Sequence, residues 1–349
     1  MGSLPLWANV ALFALGAAAI WRAGTALERY TDVIALRTTL GREFAGLLLL
    51  AGATSLPELA TTLTAILLLD NATLAVHNLL GGVALQTAIL VWADAVKGRP
   101  GALTFFSPRF VLLIEGVGLL LLLQLVLAGI VTSEVSSVGH VSVWLALLAV
   151  AYVVMMVLVF RYRGAPRWTP DLADDFPEGL APDDARAEAP TDDRPLSAIW
   201  TRFGLMSAVV LVGGWLAAET ADVLADETGL GDAFLGATLL ALATSLPEVS
   251  TTTAAVRGQR YAVAFSNIFG SNAFDVTLLF VAEVLYTGGT VMSGGDASLV
   301  LVTAVASSMT CLYLWGLLER ENRTVLGVGW DSVAVGLVYV GGMIALYFV

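Results

Sequence analysis

Ten stretches of this chain are too apolar to face water and long enough to cross a bilayer. They cover about 5–28, 42–69, 72–96, 108–132, 141–161, 198–221, 232–256, 261–286, 296–318 and 328–349. An α-helix needs roughly 20 such residues to span the hydrocarbon. With 58% hydrophobic and 13% charged residues, the 349-residue chain cannot wrap most of this surface into one soluble core. A backbone in lipid must satisfy its own hydrogen bonds, so each stretch predicts a helix. The expectation is an all-α polytopic membrane protein. The first stretch lacks the basic flank of a cleaved signal and reads as a retained span.

The basic residues sort these spans. Arg22, Arg29, Arg37 and Arg42 flank the first connection, and Lys97, Arg99 and Arg109 the third. Arg161, Arg163, Arg167, Arg186, Arg194 and Arg202 lie in or beside the fifth. Arg257 and Arg260 fill the seventh, Arg320 and Arg323 the ninth. These are all 17 lysines and arginines, and the even-numbered connections carry none. Cytoplasmic loops concentrate Lys and Arg, so the odd connections read as cytoplasmic and both termini as external, in a cell membrane.

Residues 162–197 carry nine acids among Pro and Ala, the composition of a solvated linker. They divide the chain into 1–161 and 198–349, with five spans each. Five is odd, so the halves must run in opposite directions, as two inverted five-helix repeats.

One phrase occurs in both halves. Ala53-Thr54-Ser55-Leu56-Pro57-Glu58 is repeated residue for residue as Ala243-Thr244-Ser245-Leu246-Pro247-Glu248. On a helix, Thr54, Ser55 and Glu58 share a face, as do Thr244, Ser245 and Glu248. Pro57 and Pro247 withhold an N–H and open the backbone locally. A carboxylate at membrane depth is expensive and marks function by default. Carboxylate, hydroxyl and freed carbonyl are hard oxygen ligands suited to calcium and sodium. The plainer alternative is a proline kink whose hydroxyls bond back to their own helix.

The doubled phrase resembles the α-1 and α-2 repeats of the sodium/calcium exchanger family, within the calcium/cation antiporters. Gly236-Ala237-Thr238 leads into the second copy, and Ser266-Asn267-Ile268-Phe269-Gly270-Ser271-Asn272-Ala273-Phe274-Asp275 follows it. The resemblance implies that Glu58 and Glu248 hold a central calcium with help from Thr54 and Thr244. It implies sodium ligands at Ser55, Ser245 and Ser271, at the backbone carbonyls of Ala51 and Ala241, and at Asp275. The first repeat departs from the pattern. Gly82 and Val83 stand where serine and asparagine belong, and Gln86 matches Asp275, where asparagine or aspartate is usual. One extra residue also separates Glu58 from that stretch.

The function expected is alternating-access exchange of calcium for sodium. The ions are the substrates, no cofactor is called for, and the bilayer is the other partner. A proton/calcium exchanger is the alternative, favoured by the altered first repeat and by His77, which is either a proton carrier or a structural histidine. A cation channel is a further one. An enzyme is not expected, because neither His77 nor His140 completes a nucleophile–base arrangement with the repeated Ser and Glu. A net charge of −12 argues against nucleic acid. Single Cys311 rules out an internal disulfide. Asp94, Glu115 and Glu283 are further acids within apolar spans; none has a visible counterpart in the other half.

Overall fold

The computed structural model describes residues 4–37, 55–132, 137–138, 141–164, 192–292 and 296–349. It is a bundle of helices with two small hairpins. The helices are α1 (Leu6–Arg37), α2 (Leu56–Leu67), α3 (Ala72–Val96), α4 (Phe110–Thr132), α5 (Val143–Gly164) and α6 (Leu196–Thr228). After them come α7 (Asp232–Thr244), α8 (Leu246–Arg257), α9 (Tyr261–Leu285), α10 (Ala297–Glu319) and α11 (Trp330–Tyr347). Among the described residues, eight helices are long and apolar enough to cross a bilayer. There are nine if α7 and α8, bent by 52° at their junction, are one broken span. The expected span at 42–69 is described only in its second part, α2.

Local chemistry sets several ends. Asn71 caps α3 by accepting from Leu74 N–H at 2.9 Å, and Asp296 caps α10 by accepting from Ser298 and Leu299 N–H. Gly229 ends α6 in the left-handed conformation, φ 69°. Two helices outrun their apolar stretches. α1 continues past 28 to Arg37, and α6 past 221 to Thr228, so most of the expected connection from Glu219 to Asp232 is helical. Both extensions are packed: α1 buries Glu28, Thr31, Val33 and Ile34, and α6 buries Leu224 and Ala225.

The long helices α1 and α6 lie against each other. A Cβ on Gly16 would come 3.0 Å from Gly213 O, and one on Gly213 3.1 Å from Gly16 O, so small residues set this approach. Most of the core lies around α3, α9 and α10. α3 packs on both α9 and α7, where Gly81 leaves no room for a Cβ beside Ala237. β1 (Ser137–Val138) and β2 (Val141–Ser142) form an antiparallel hairpin between α4 and α5. β3 (Thr324–Val325) and β4 (Val328–Gly329) form another between α10 and α11.

Candidate ion site

Both copies of the repeated phrase end in a helix start. Ser55 precedes α2 and Ser245 precedes α8, with Pro57 and Pro247 in the first turn, where a missing N–H costs nothing. Leu59 N–H bonds Ser55 O at 3.0 Å, and Val249 N–H bonds Ser245 O at 3.2 Å. Each first turn then carries its glutamate, Glu58 or Glu248, inward and fully buried. The N-terminus of a helix favours negative charge, which partly offsets burial of the carboxylate. In the second copy the chain bends at Ser245, so Thr244 ends α7 while Glu248 begins α8. α7 itself contains a π-helical turn, Gly236–Leu240, which re-aims the residues after it.

A bracket repeats around these turns. Thr61 Oγ1 donates to the carbonyls of Pro57 and Glu58, and accepts from Asn78 Nδ2 at 2.9 Å. Thr251 Oγ1 donates to those of Pro247 and Glu248, and accepts from Asn267 Nδ2 at 3.4 Å. The sequence reading did not use these threonines. Their equal offset from the two glutamates was the available signal.

The inner helices close the site. Gln86 on α3 and Asp275 on α9 are both buried, and Gln86 Nε2 donates to Asp275 Oδ2 at 3.0 Å and to Glu58 Oε1 at 3.5 Å. The side chain of Ser55 lies beside Asp275, and that of Thr244 beside Glu58. Glu248 lies within electrostatic reach of Glu58 and Asp275. Ser271 sits one turn before Asp275 on α9 and is buried. Asn272 reaches back to α3, donating to Thr87 Oγ1 at 3.0 Å and Val83 O at 3.3 Å. The carbonyl of Ala241 already accepts from Ser245 N–H at 3.0 Å and the Thr244 hydroxyl at 3.1 Å. Thr54 and Ala51 lie outside the described residues.

What remains is a concentration of oxygen. Ser55 Oγ, Glu58 Oε2, Gln86 Oε1, Ser245 Oγ, both oxygens of Glu248 and Asp275 Oδ1 are buried with no hydrogen-bond partner among the described residues. Stranded acceptors are costly, and a cation would satisfy them. Among the described residues, no three acidic, imidazole or thiol groups form a compact metal cage. The donors are mixed carboxylate, amide and hydroxyl oxygens from both halves of the chain.

The other singled-out groups have structural partners. His77 touches Thr73 O at 2.9 Å and Ser298 Oγ at 2.8 Å, tying α3 to α10. Glu115 accepts from Ser266 Oγ at 2.8 Å, tying α4 to α9.

Buried carboxylates at two helix starts, one of them at the break between α7 and α8, inside a multi-pass helical membrane protein, are the construction of a secondary transporter. This chain belongs to the sodium/calcium exchanger protein family, whose model matches residues 8–161 and 198–348. Inner membrane protein YrbG of Escherichia coli (strain K12) is 26% identical over 288 residues, 81% of this chain and 81% of that protein. The solved H+/Ca2+ exchanger CAX is similar in fold, with a TM-score of 0.66 at 12% identity over 97% of this chain and 84% of that one. The sodium-calcium exchanger NCX_Mj is also similar, with a TM-score of 0.60 at 16% identity over 98% and 99%. At these identities the structural likeness is one of fold.

Proposed function

We propose that this chain exchanges calcium for sodium across the cell membrane by alternating access, with Glu58 and Glu248 as the central calcium ligands. The observation that carries this reading is the set of stranded oxygens drawn from the starts of α2 and α8 and from both inner helices. Calcium takes six to eight oxygens, with carboxylates setting affinity. Thr54 and Thr244 complete the calcium shell. Ser55, Ser245, Ser271, Asp275, Gln86 and the carbonyls of Ala51 and Ala241 serve sodium. When calcium leaves, two buried carboxylates cannot stand bare, so monovalent ions must replace it. That competition for the same oxygens is the exchange.

The recurrence of the Thr–Asn bracket and of the two hairpins supports two inverted repeats, 1–161 and 198–349, joined by a cytoplasmic linker at 162–197. In this arrangement there are ten spans and both termini are external.

Proton/calcium exchange is the second reading. Gly82 offers no side-chain oxygen where Ser271 has one, and Gln86 brings an amide donor where its counterpart is a carboxylate. The fold neighbours include one exchanger named for each coupling ion, and calcium is common to both names. Calcium efflux from proteoliposomes at fixed pH, with and without external sodium, separates the readings. Efflux driven by sodium supports the first. Efflux that ignores sodium and follows a pH jump replaces it with the second.

A further inference from the structure

We infer that Asp94 and Glu283 are equivalent positioning residues, each latching an inner helix to the hairpin of the opposite half. Their types differ, but their places match. Asp94 lies eight residues after Gln86 on α3, and Glu283 eight after Asp275 on α9. Eight residues are about two helical turns, so each acid extends the face that carries the ion-site residue. Both are buried.

Their bonds cross between halves in the same way. Asp94 Oδ2 accepts Gly329 N–H at 2.7 Å, at the end of the β3–β4 hairpin. Glu283 Oε1 accepts Ser142 N–H at 3.0 Å, at the end of the β1–β2 hairpin. In the strand registers Ser142 pairs with Ser137, and Gly329 with Thr324, so the two latched residues hold the same place in their hairpins. Each acid is then fixed on its second side. Asp94 pairs with Lys97 at 2.6 Å, and Lys97 also donates to Gly327 O at 3.2 Å, gripping the same hairpin. Glu283 Oε2 accepts Val291 N–H at 2.7 Å and Thr290 Oγ1 at 3.1 Å. A buried carboxylate held by several donors is strongly oriented, and its removal leaves backbone N–H groups stranded.

A helix anchored at one end to a hairpin has its rotation and height fixed along its length. These latches therefore set where Gln86 and Asp275 meet. The functional half of this inference rests on the ion-site reading above; the latches themselves do not.

The test is amide hydrogen exchange on the purified full chain, with calcium transport measured on the same variants. Glu283→Ala should speed exchange at Ser142 and leave Gly329 protected, and Asp94→Ala should do the reverse. General destabilisation would loosen both hairpins alike, and that result, or no change at either, overturns the latches. In proteoliposomes, loss of a latch should raise the apparent KM for calcium by up to about tenfold, with maximal rate little changed. Asp94→Asn, which keeps an oxygen for Gly329, should fall between wild type and Asp94→Ala; it also serves if the alanine variant does not fold. An unchanged KM in variants whose hairpin has opened overturns the positioning role. Wild-type protein that moves no calcium defeats the exchanger reading instead and leaves the exchange result standing.

Discussion

Gln86 Nε2 lies 3.0 Å from Asp275 Oδ2, so two residues at matching places in the two halves meet across the α3–α9 contact. The same amide reaches Glu58 Oε1 at 3.5 Å. Two acids thus share one donor at the centre of the molecule.

That donor is needed at a buried site. Gln86→Leu keeps the volume and leaves Asp275 and Glu58 without it. Loss of a buried hydrogen bond to a charged group costs ~1–3 kcal/mol. Thermal unfolding in detergent should show a lowered midpoint, and calcium affinity should change with it. An unchanged midpoint would mean that the amide contributes nothing to the folded state.

The two brackets are unequal, and their loss should be too. Asn78 Nδ2 lies 2.9 Å from Thr61 Oγ1 in a buried setting, while Asn267 is part-buried and 3.4 Å from Thr251 Oγ1. Asn78→Ala should destabilise by ~1–2 kcal/mol and Asn267→Ala by less. Equal shifts in a denaturation series would contradict this.

Gly82 is a test of sodium use. A Cβ there would meet nothing within 4 Å, so Gly82→Ser should fold without strain. The new hydroxyl would place an oxygen where Ser271 has one in the other half. Sodium should then act at lower concentration, while Ser271→Ala should cost more sodium-dependent activity than Gly82→Ser changes it. A Gly82→Ser protein with an unaltered sodium dependence would exclude this position from any sodium site.

Topology is open to direct labelling. Cys311 is exposed and must first be replaced. Cysteines added near Gly2 and Val349 should react with an impermeant reagent from outside, and one at Ala185 should not. Strong outside labelling at Ala185 would reverse the orientation.

What the sequence made visible depended on whether chemistry repeated in letters or only in place. Glu58 and Glu248 stood out because the whole phrase recurs, and the structure buries both in first turns. Asp94 and Glu283 stood out as acids within apolar spans but not as a pair, because their partners are backbone N–H groups of distant hairpins and their residue types differ. The hairpins have two-residue strands, too short for any alternation to show. The ends of α1 and α6 were misplaced for different reasons: α1 buries the polar Glu28 and Thr31, which apolarity cannot register, while α6 buries only Leu224 and Ala225 among more exposed polar residues, too few to extend an apolar run. Ser55 and Ser245 were legible in the phrase itself, Gln86 and Asp275 through the resemblance, but that Gln86 and Asp275 touch needed the crossing of α3 and α9.

The most direct test of the account is calcium uptake into proteoliposomes by Glu58→Gln and Glu248→Gln, compared with wild type at matched protein content. Each change keeps volume but removes one charge and one oxygen from the proposed calcium shell. Both variants should fold, elute as wild type does and move no calcium above background. Near-normal uptake by both would contradict the claim that these two glutamates hold the transported ion.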